Sequence, residues 1–273
     1  VTTPHEGNIG GGGFMLLYLA EKKKVIAIDY REKAPKLANE NLFLDEAEQL
    51  DLEKTRYSYL AAGVPGTVAG LAYVLEKYGT ISLAKAIQPA IELAENGFEV
   101  SQSLNKALVL AKDRFSGSQD GMKIFYKKNG EPYKPGEILV QKDLAWTLRQ
   151  IAENGSKDFY NGPVGEKIVK AMQANGGLIS MKDLQDYKAI ERKPVKGNFR
   201  GYDIYSMPPP SSGGVHIIQI LNLLEPFPMG IWGHNSAKTI HVMTEAMKLA
   251  YADKAAYLGD PDFEYVPTEG LVS

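Results

Sequence analysis

Two short, uninterrupted apolar runs open the regular pattern of the chain. Residues 14–20 (Phe-Met-Leu-Leu-Tyr-Leu-Ala) and 25–30 (Val-Ile-Ala-Ile-Asp-Tyr) flank a polar stretch, 21–24. Apolar runs of this length bounded by turn signals read as buried strands. The spacing predicts a hairpin, with Lys22, Lys23 and Lys24 at its solvated turn. Residues 33–62 give no periodic signal. From Pro65 the period lengthens to that of a helix: residues 66–78 set Val68, Leu71, Ala72 and Leu75 on one face, and Gly79 is the stop. Ser82 is placed to cap a helix with Leu83, Ile87, Ile91 and Ala94 on one side, ending at Asn96-Gly97. Pro89 inside it predicts a kink or a restart at Gln88. Ser101 caps a further helix to about residue 115.

Residues 116–140, rich in Gly, Lys and Pro, read as an exposed excursion with Ile124-Phe125-Tyr126 as a short strand. Helical periodicity resumes over 142–153, 163–174 and 180–187, the last opened by a capping-box pattern, Ser180-Met181-Lys182-Asp183. Residues 199–207 alternate as a strand that Pro208-Pro209-Pro210 breaks. Residues 213–225 are apolar except for a narrow stripe of His216, Gln219 and Asn222, the pattern of a helix buried against a sheet. The last helix, 236–258, presents Ile240, Met243, Met247, Ala250, Tyr251 and Tyr257 to the core. Strands at both ends with helices between them predict a sheet covered by helices, α/β or α+β, as a single domain over 1–273.

Composition narrows the function more than the fold. A chain of 273 residues with 44% hydrophobic and 23% charged residues is of ordinary globular type. With 31 Lys and Arg against 33 Asp and Glu, no basic tail or face marks a nucleic-acid partner. There are no cysteines, which excludes disulfides, thiolate catalysis and cysteine metal sites. No apolar stretch reaches the length of a membrane span. The chain starts at Val1-Thr2-Thr3-Pro4 without an initiator methionine or signal peptide and stops at Gly270-Leu271-Val272-Ser273. This reads as an internal piece of a longer precursor.

Candidate chemistry is sparse. The cluster Gly10-Gly11-Gly12-Gly13 lacks the spacing of a dinucleotide loop or P-loop, and it precedes a strand where those loops follow one. Close backbone packing or positive φ explains it better. His5, His216, His234 and His241 are the only histidines; His234 and His241 are seven apart, and no carboxylate–histidine cluster surrounds them in a zincin-like spacing. No metal or cofactor is expected, and His216 reads as a hydrogen-bonded structural histidine. Ser211-Ser212-Gly213-Gly214 opens a helix; its hydroxyls and N–H groups suit an anion, but a plain N-cap accounts for the same residues. No Gly-x-Ser-x-Gly elbow is present. Arg31, in Asp29-Tyr30-Arg31-Glu32, has two readings. One is a surface arginine paired with Asp29 or Glu32. The other is a planar fork gripping a carboxylate through two parallel hydrogen bonds.

Asp29-Tyr30-Arg31-Glu32, with Gly7-Asn8-Ile9-Gly10-Gly11-Gly12-Gly13-Phe14 upstream and Met207-Pro208-Pro209-Pro210-Ser211-Ser212-Gly213-Gly214 downstream, resembles the large-subunit region of γ-glutamyltranspeptidases. Pro65-Gly66-Thr67-Val68-Ala69-Gly70, Tyr187-Lys188-Ala189 and Tyr251-Ala252-Asp253 fit the same pattern, so the resemblance covers almost the whole chain. It implies the four-layer αββα sandwich of N-terminal-nucleophile hydrolases, incomplete without a small subunit of the same precursor. It also implies γ-glutamyl transfer from glutathione or a related donor to water or to amino-acid and peptide acceptors. In such enzymes a threonine freed by self-cleavage is the nucleophile and its own amine the base. That threonine and the oxyanion donors belong to the small subunit, so no catalytic residue is assigned among these 273. Arg31 matches the arginine that binds the α-carboxylate of the glutamyl group. A periplasmic or extracellular location is implied by the resemblance alone. Cephalosporin acylases and poly-γ-glutamate capsule depolymerases lie in the same branch. A non-catalytic binding or structural protein that keeps this fold is the alternative from another class.

Overall fold

A computed structural model describes residues 1–115 and 117–273. In chain order it begins with strands β1 (Phe14–Leu19) and β2 (Lys24–Asp29), then helices α1 (Leu52–Tyr57), α2 (Thr67–Tyr78) and α3 (Leu83–Asn96). Next come β3 (Phe98–Glu99), α4 (Gln102–Phe115), α5 (Gln119–Phe125), β4 (Ile138–Leu139), α6 (Lys142–Asn154), α7 (Ser156–Asn161), α8 (Pro163–Ala174) and α9 (Met181–Asp186). The remainder is β5 (Ile190–Arg192), β6 (Val195–Phe199), β7 (Tyr202–Ser206), α10 (Gly213–Leu224), α11 (Met229–Trp232), α12 (Ala237–Tyr257) and α13 (Thr268–Leu271). These elements fall into two compact units, Val1–Gly13 with Tyr30–Ala189 and Phe14–Asp29 with Ile190–Ser273.

The first unit is mostly helical. Its main core joins Val64 and Val68 at the start of α2 to Ile151, Phe159, Tyr160, Val164, Ile179, Leu184 and Tyr187. Val68 is buried as expected, but Leu71 is 42% exposed, because Gly70 rather than Leu71 faces inward. Helix α3 is one continuous element through Pro89, so the helix does not restart at Gln88. Pro89 lies on the exposed face, where the carbonyl that loses its partner meets water. Ile91 and Ala94 on the opposite face are buried. The expected strand at 124–126 is the end of a helix instead. Ser118 Oγ accepts the Gly121 N–H (3.1 Å) and caps α5, so Met122 and Phe125 come round to a second core of Phe98, Val100, Leu104, Leu108, Tyr126 and Leu139. The 117–140 stretch is therefore partly buried; Ser116, where the expected excursion begins, lies outside the described residues. The capping box is present, with both the Ser180 and Asp183 bonds made.

The second unit holds a three-stranded antiparallel sheet of order β1-β2-β5. Phe14 faces Asp29 across the predicted hairpin, and Ala27 faces Arg192. Central β2 is buried from Ile26 to Asp29, which is why its stretch from Val25 to Ile28 is apolar without alternation. The segment expected as one strand over 199–207 is the second half of a hairpin, β6 with β7. Its turn, Arg200-Gly201, has φ of 50° and 85°. Two consecutive positive φ values suit a tight hairpin, but Arg-Gly lacks the Asn or Asp that usually announces one. Helix α10 packs on this hairpin and on α12, with Val215 and Ile218 in a core shared with Val195 and Leu271. On α12 only Ala246 and Ala250 are buried. Ile240, Met243, Met247, Tyr251 and Tyr257, expected inside, are exposed.

Candidate functional site

Arg31 stands just beyond the end of β2, on a segment held by its backbone. The Tyr30 N–H donates to the Gly13 carbonyl (3.0 Å), and the Gly13 N–H returns a bond to the Tyr30 carbonyl (3.1 Å). Two residues after Arg31, Lys33 and Val64 exchange both backbone bonds (3.2 and 2.8 Å). At Arg31 itself the Tyr187 hydroxyl donates to the main-chain carbonyl at 2.7 Å. Further along, the Lys36 N–H donates to Asp183 Oδ1 (3.0 Å), which ties the same strap to the capping-box acid of α9. Tyr187 is the C-cap residue of that short helix, so the capping-box acid and the tyrosine stand at opposite ends of the same element.

The glycine-rich motifs converge on this strap. A Cβ on Gly12 would lie 2.6 Å from both the Tyr30 carbonyl oxygen and the Glu32 nitrogen, and 2.9 Å from the Arg31 carbonyl carbon. A Cβ on Gly66 would fall on the Tyr30 carbonyl and the Tyr187 hydroxyl, and one on Gly70 on the Tyr30 ring. Close packing, not positive φ, is therefore what these positions require, since Gly10 to Gly13 are absent from the positive-φ glycines. The Gly11 carbonyl also accepts the Gly66 and Thr67 N–H groups (2.8 and 3.0 Å), which satisfies donors at the start of α2. Behind Tyr187, the Tyr160 ring stacks at 5.7 Å with planes 8° apart. The Tyr160 hydroxyl donates to the Pro65 carbonyl (2.8 Å) and accepts from the Ala69 N–H (3.2 Å). Burial pushes its pKa well above the ordinary tyrosine value, so it stays a neutral hydrogen-bonding group.

The outcome is a fixed backbone with an exposed side chain at Arg31. A guanidinium is a planar group whose parallel N–H donors match the two oxygens of a carboxylate. Asp29 is buried, and its carboxylate accepts from Arg192 Nε at 2.8 Å. Arg192 also grips Asp262 through two bonds of 2.9 Å. Sequence reasoning singled out Arg31 but gave no role to Tyr160 or Tyr187; only the Tyr187-Lys188-Ala189 motif pointed toward the second of these.

The other candidates behave differently. Ser212 occupies the N-cap position of α10, as the plain-cap reading expects, with φ −78° and ψ −19°, but its side chain makes no capping bond. His216 is buried as expected, but its Nε2 has no hydrogen-bond partner among the described residues. Its ring lies 4.9 Å from that of Tyr251. Among the described residues no group of three or more His, Asp or Glu is arranged to hold a metal ion, and no helix is long and apolar enough to cross a membrane.

Comparison with known proteins agrees with the motif pattern. The sequence profile of the Gamma-glutamyltranspeptidase family matches residues 1–273. The glutathione hydrolase proenzyme of Escherichia coli (strain K12) is 50% identical over 273 residues, covering 100% of this chain and 47% of that protein. The Acylase ACY 1 proenzyme of Pseudomonas sp. (strain V22) is 37% identical over 283 residues, covering 100% of this chain and 50% of that protein. The chain thus spans about half the length of the curated relatives it matches. Among solved structures, the γ-glutamyltranspeptidase of Helicobacter pylori superposes with a TM-score of 0.98 at 49% identity, over 100% of this chain and 78% of that one. With a full-length profile match, half the residues shared and the same mixed helix-and-sheet fold, this chain belongs to the γ-glutamyltranspeptidase family.

Proposed function

We propose that this chain is the large-subunit part of a γ-glutamyltranspeptidase that cleaves the γ-glutamyl bond of glutathione and related donors and passes the acyl group to water or to an amine. Within that enzyme the chain supplies scaffold and one substrate clamp. Arg31 holds the α-carboxylate of the glutamyl group, while the threonine nucleophile and the oxyanion donors come from the small subunit of the same precursor. The observation that carries this reading is Arg31 itself, with its peptide tied down through Tyr187 and its side chain open to solvent. The E. coli glutathione hydrolase proenzyme, at 50% identity, supports the donor class.

Holding a donor by its α-carboxylate fixes where the γ-amide carbonyl stands, which turns attack by the threonine into a near-intramolecular step. The test is turnover of a chromogenic γ-glutamyl anilide by the full-length, self-processed protein, measured with and without a dipeptide acceptor. Release of the anilide that rises with acceptor is the expected result. A processed protein silent on every γ-glutamyl donor would be a non-catalytic member of the fold. The acylase relative raises a second reading, and the same assay separates it: a glutaryl amide lacks the α-amine but keeps a carboxylate in the place of the glutamyl α-carboxylate, so preference for it over the γ-glutamyl donor would make the chain part of an acylase while leaving the Arg31 fork a carboxylate to hold. The location expected from the family, periplasmic or extracellular, is open to cell fractionation.

A further inference from the structure

A guanidinium at the end of a flexible stem binds a carboxylate bidentately only if the peptide that carries it is fixed. At Arg31 the Tyr187 hydroxyl donates to the main-chain carbonyl at 2.7 Å. Tyr187 is itself 7% exposed and stacks on Tyr160, and Lys33 Nζ lies 5.9 Å from its ring centroid. Gly66 makes room for the hydroxyl, since a Cβ there would strike it. Nothing in core packing alone demands a hydroxyl at this place; a phenyl ring would fill the same volume and keep the stack. What the hydroxyl adds is a directed bond to the residue that faces solvent.

Resting on the reading of Arg31 as the α-carboxylate clamp, we infer that Tyr187 is a positioning residue for donor recognition. It acts through Arg31 and sets the angle at which the fork meets the substrate carboxylate. Productive constellations tolerate errors of about 0.5 Å and 10–20°, so releasing one hydrogen bond to the peptide at the base of the fork loosens how the donor is held.

The test is Tyr187→Phe in the full-length processed enzyme, assayed on two donors with the same scissile anilide. One is the γ-glutamyl compound. The other is its 4-aminobutanoyl counterpart, which keeps the amine and lacks the α-carboxylate. Losing one neutral hydrogen bond corresponds to about a 3- to 10-fold fall in kcat/KM for the γ-glutamyl donor. The 4-aminobutanoyl donor should be unaffected. In an Arg31→Ala background the same substitution should do nothing further. An equal loss on both donors, or a loss that adds to that of Arg31→Ala, would make Tyr187 merely structural and overturn the inference. If Arg31→Ala alone leaves γ-glutamyl turnover intact, the clamp reading falls first and this inference with it. The ratio of kcat/KM for the two donors does not depend on how much enzyme is correctly folded, so it decides even when yield is poor. Should Tyr187→Phe give no processed enzyme, Tyr187→Met, which fills part of the same volume and likewise donates no hydrogen bond, is judged by the same ratio.

Discussion

Arg31→Lys is the substitution that separates a clamp from a surface charge. Lysine keeps the positive charge but offers a compact ammonium in place of two parallel donors. If the fork binds the donor's α-carboxylate, Arg31→Lys should impair donor use almost as badly as Arg31→Ala. Breaking a desolvated charge pair typically costs about 2–5 kcal/mol, or roughly 30- to several-thousand-fold in kcat/KM. Self-cleavage should be spared, because it does not use the substrate carboxylate. The measurement is kcat/KM for a γ-glutamyl donor, with processing followed on a gel; near-wild-type values in a normally processed lysine variant would remove the clamp. The glycines make a second residue-scale test. Gly66 has φ −115° and ψ −18°, which alanine adopts without strain, so any cost of Gly66→Ala comes from its Cβ meeting the Tyr30 carbonyl and the Tyr187 hydroxyl. Overpacking of this kind costs about 1–3 kcal/mol, enough to lower the melting temperature by several degrees. Gly7, with nothing within 4 Å of its Cβ position, should accept alanine at no measurable cost. Equal melting temperatures for the two variants would mean that the strap yields to the added methyl.

At the scale of elements, α10 carries a pH dependence. His216 is 9% exposed, and burial, followed by the positive charge of Lys254, holds its pKa below the ordinary value of about 6.5. The unfolded chain takes up a proton here as pH falls below about 6.5 while the folded chain resists, so stability declines on the acid side of that value. The melting temperature of the assembled protein should fall between about pH 7.5 and about pH 5.5, and His216→Phe should flatten that slope. Asp186, held below its ordinary pKa by hydrogen bonds from Lys182 and Lys36, acts in a lower window, losing its contribution only as pH falls through the carboxylate range. An identical slope with and without His216 would assign the effect to other groups. The stripe that contains His216 was legible in the sequence, as were the hairpin, the caps at Ser82, Ser101 and Ser180, and the helices that follow them, because each rests on local spacing. What escaped was decided by distant packing. The strand expected at 124–126 became helix because Ser118 caps it and the second core draws in Met122 and Phe125. The Arg200-Gly201 turn has no strong local signal. The site divides the same way: Arg31 was readable from its motif, but the Tyr187 bond joins residues 156 apart in sequence, and no local pattern encodes it.

For the whole molecule, the exposed apolar surface is the informative quantity. Along α12, Ile240 is 52% exposed, Met247 42% and Tyr251 59%, although the spacing of these residues is that of a buried face. On β1, Leu16 and Tyr18 are exposed as well, and β1 is an edge of its sheet among the described residues. Contiguous apolar surface and open strand edges both drive association. The proposed enzyme has a small subunit to cover such surface, and the curated relatives are about twice the length of this chain. The 273-residue chain produced alone should therefore bind a hydrophobic dye and self-associate, and co-expression with the rest of its precursor should suppress both. It should also be inactive: with the proposed nucleophile and oxyanion donors on the small subunit, a γ-glutamyl anilide assay should read at the level of buffer. Size-exclusion chromatography, dye fluorescence and that assay on one purified sample test the two expectations together. A monodisperse, dye-silent monomer with a sharp melt would show that the α12 face needs no cover. Turnover that survives repurification would place a nucleophile within these residues, and the division of labour proposed between the two subunits would have to be redrawn.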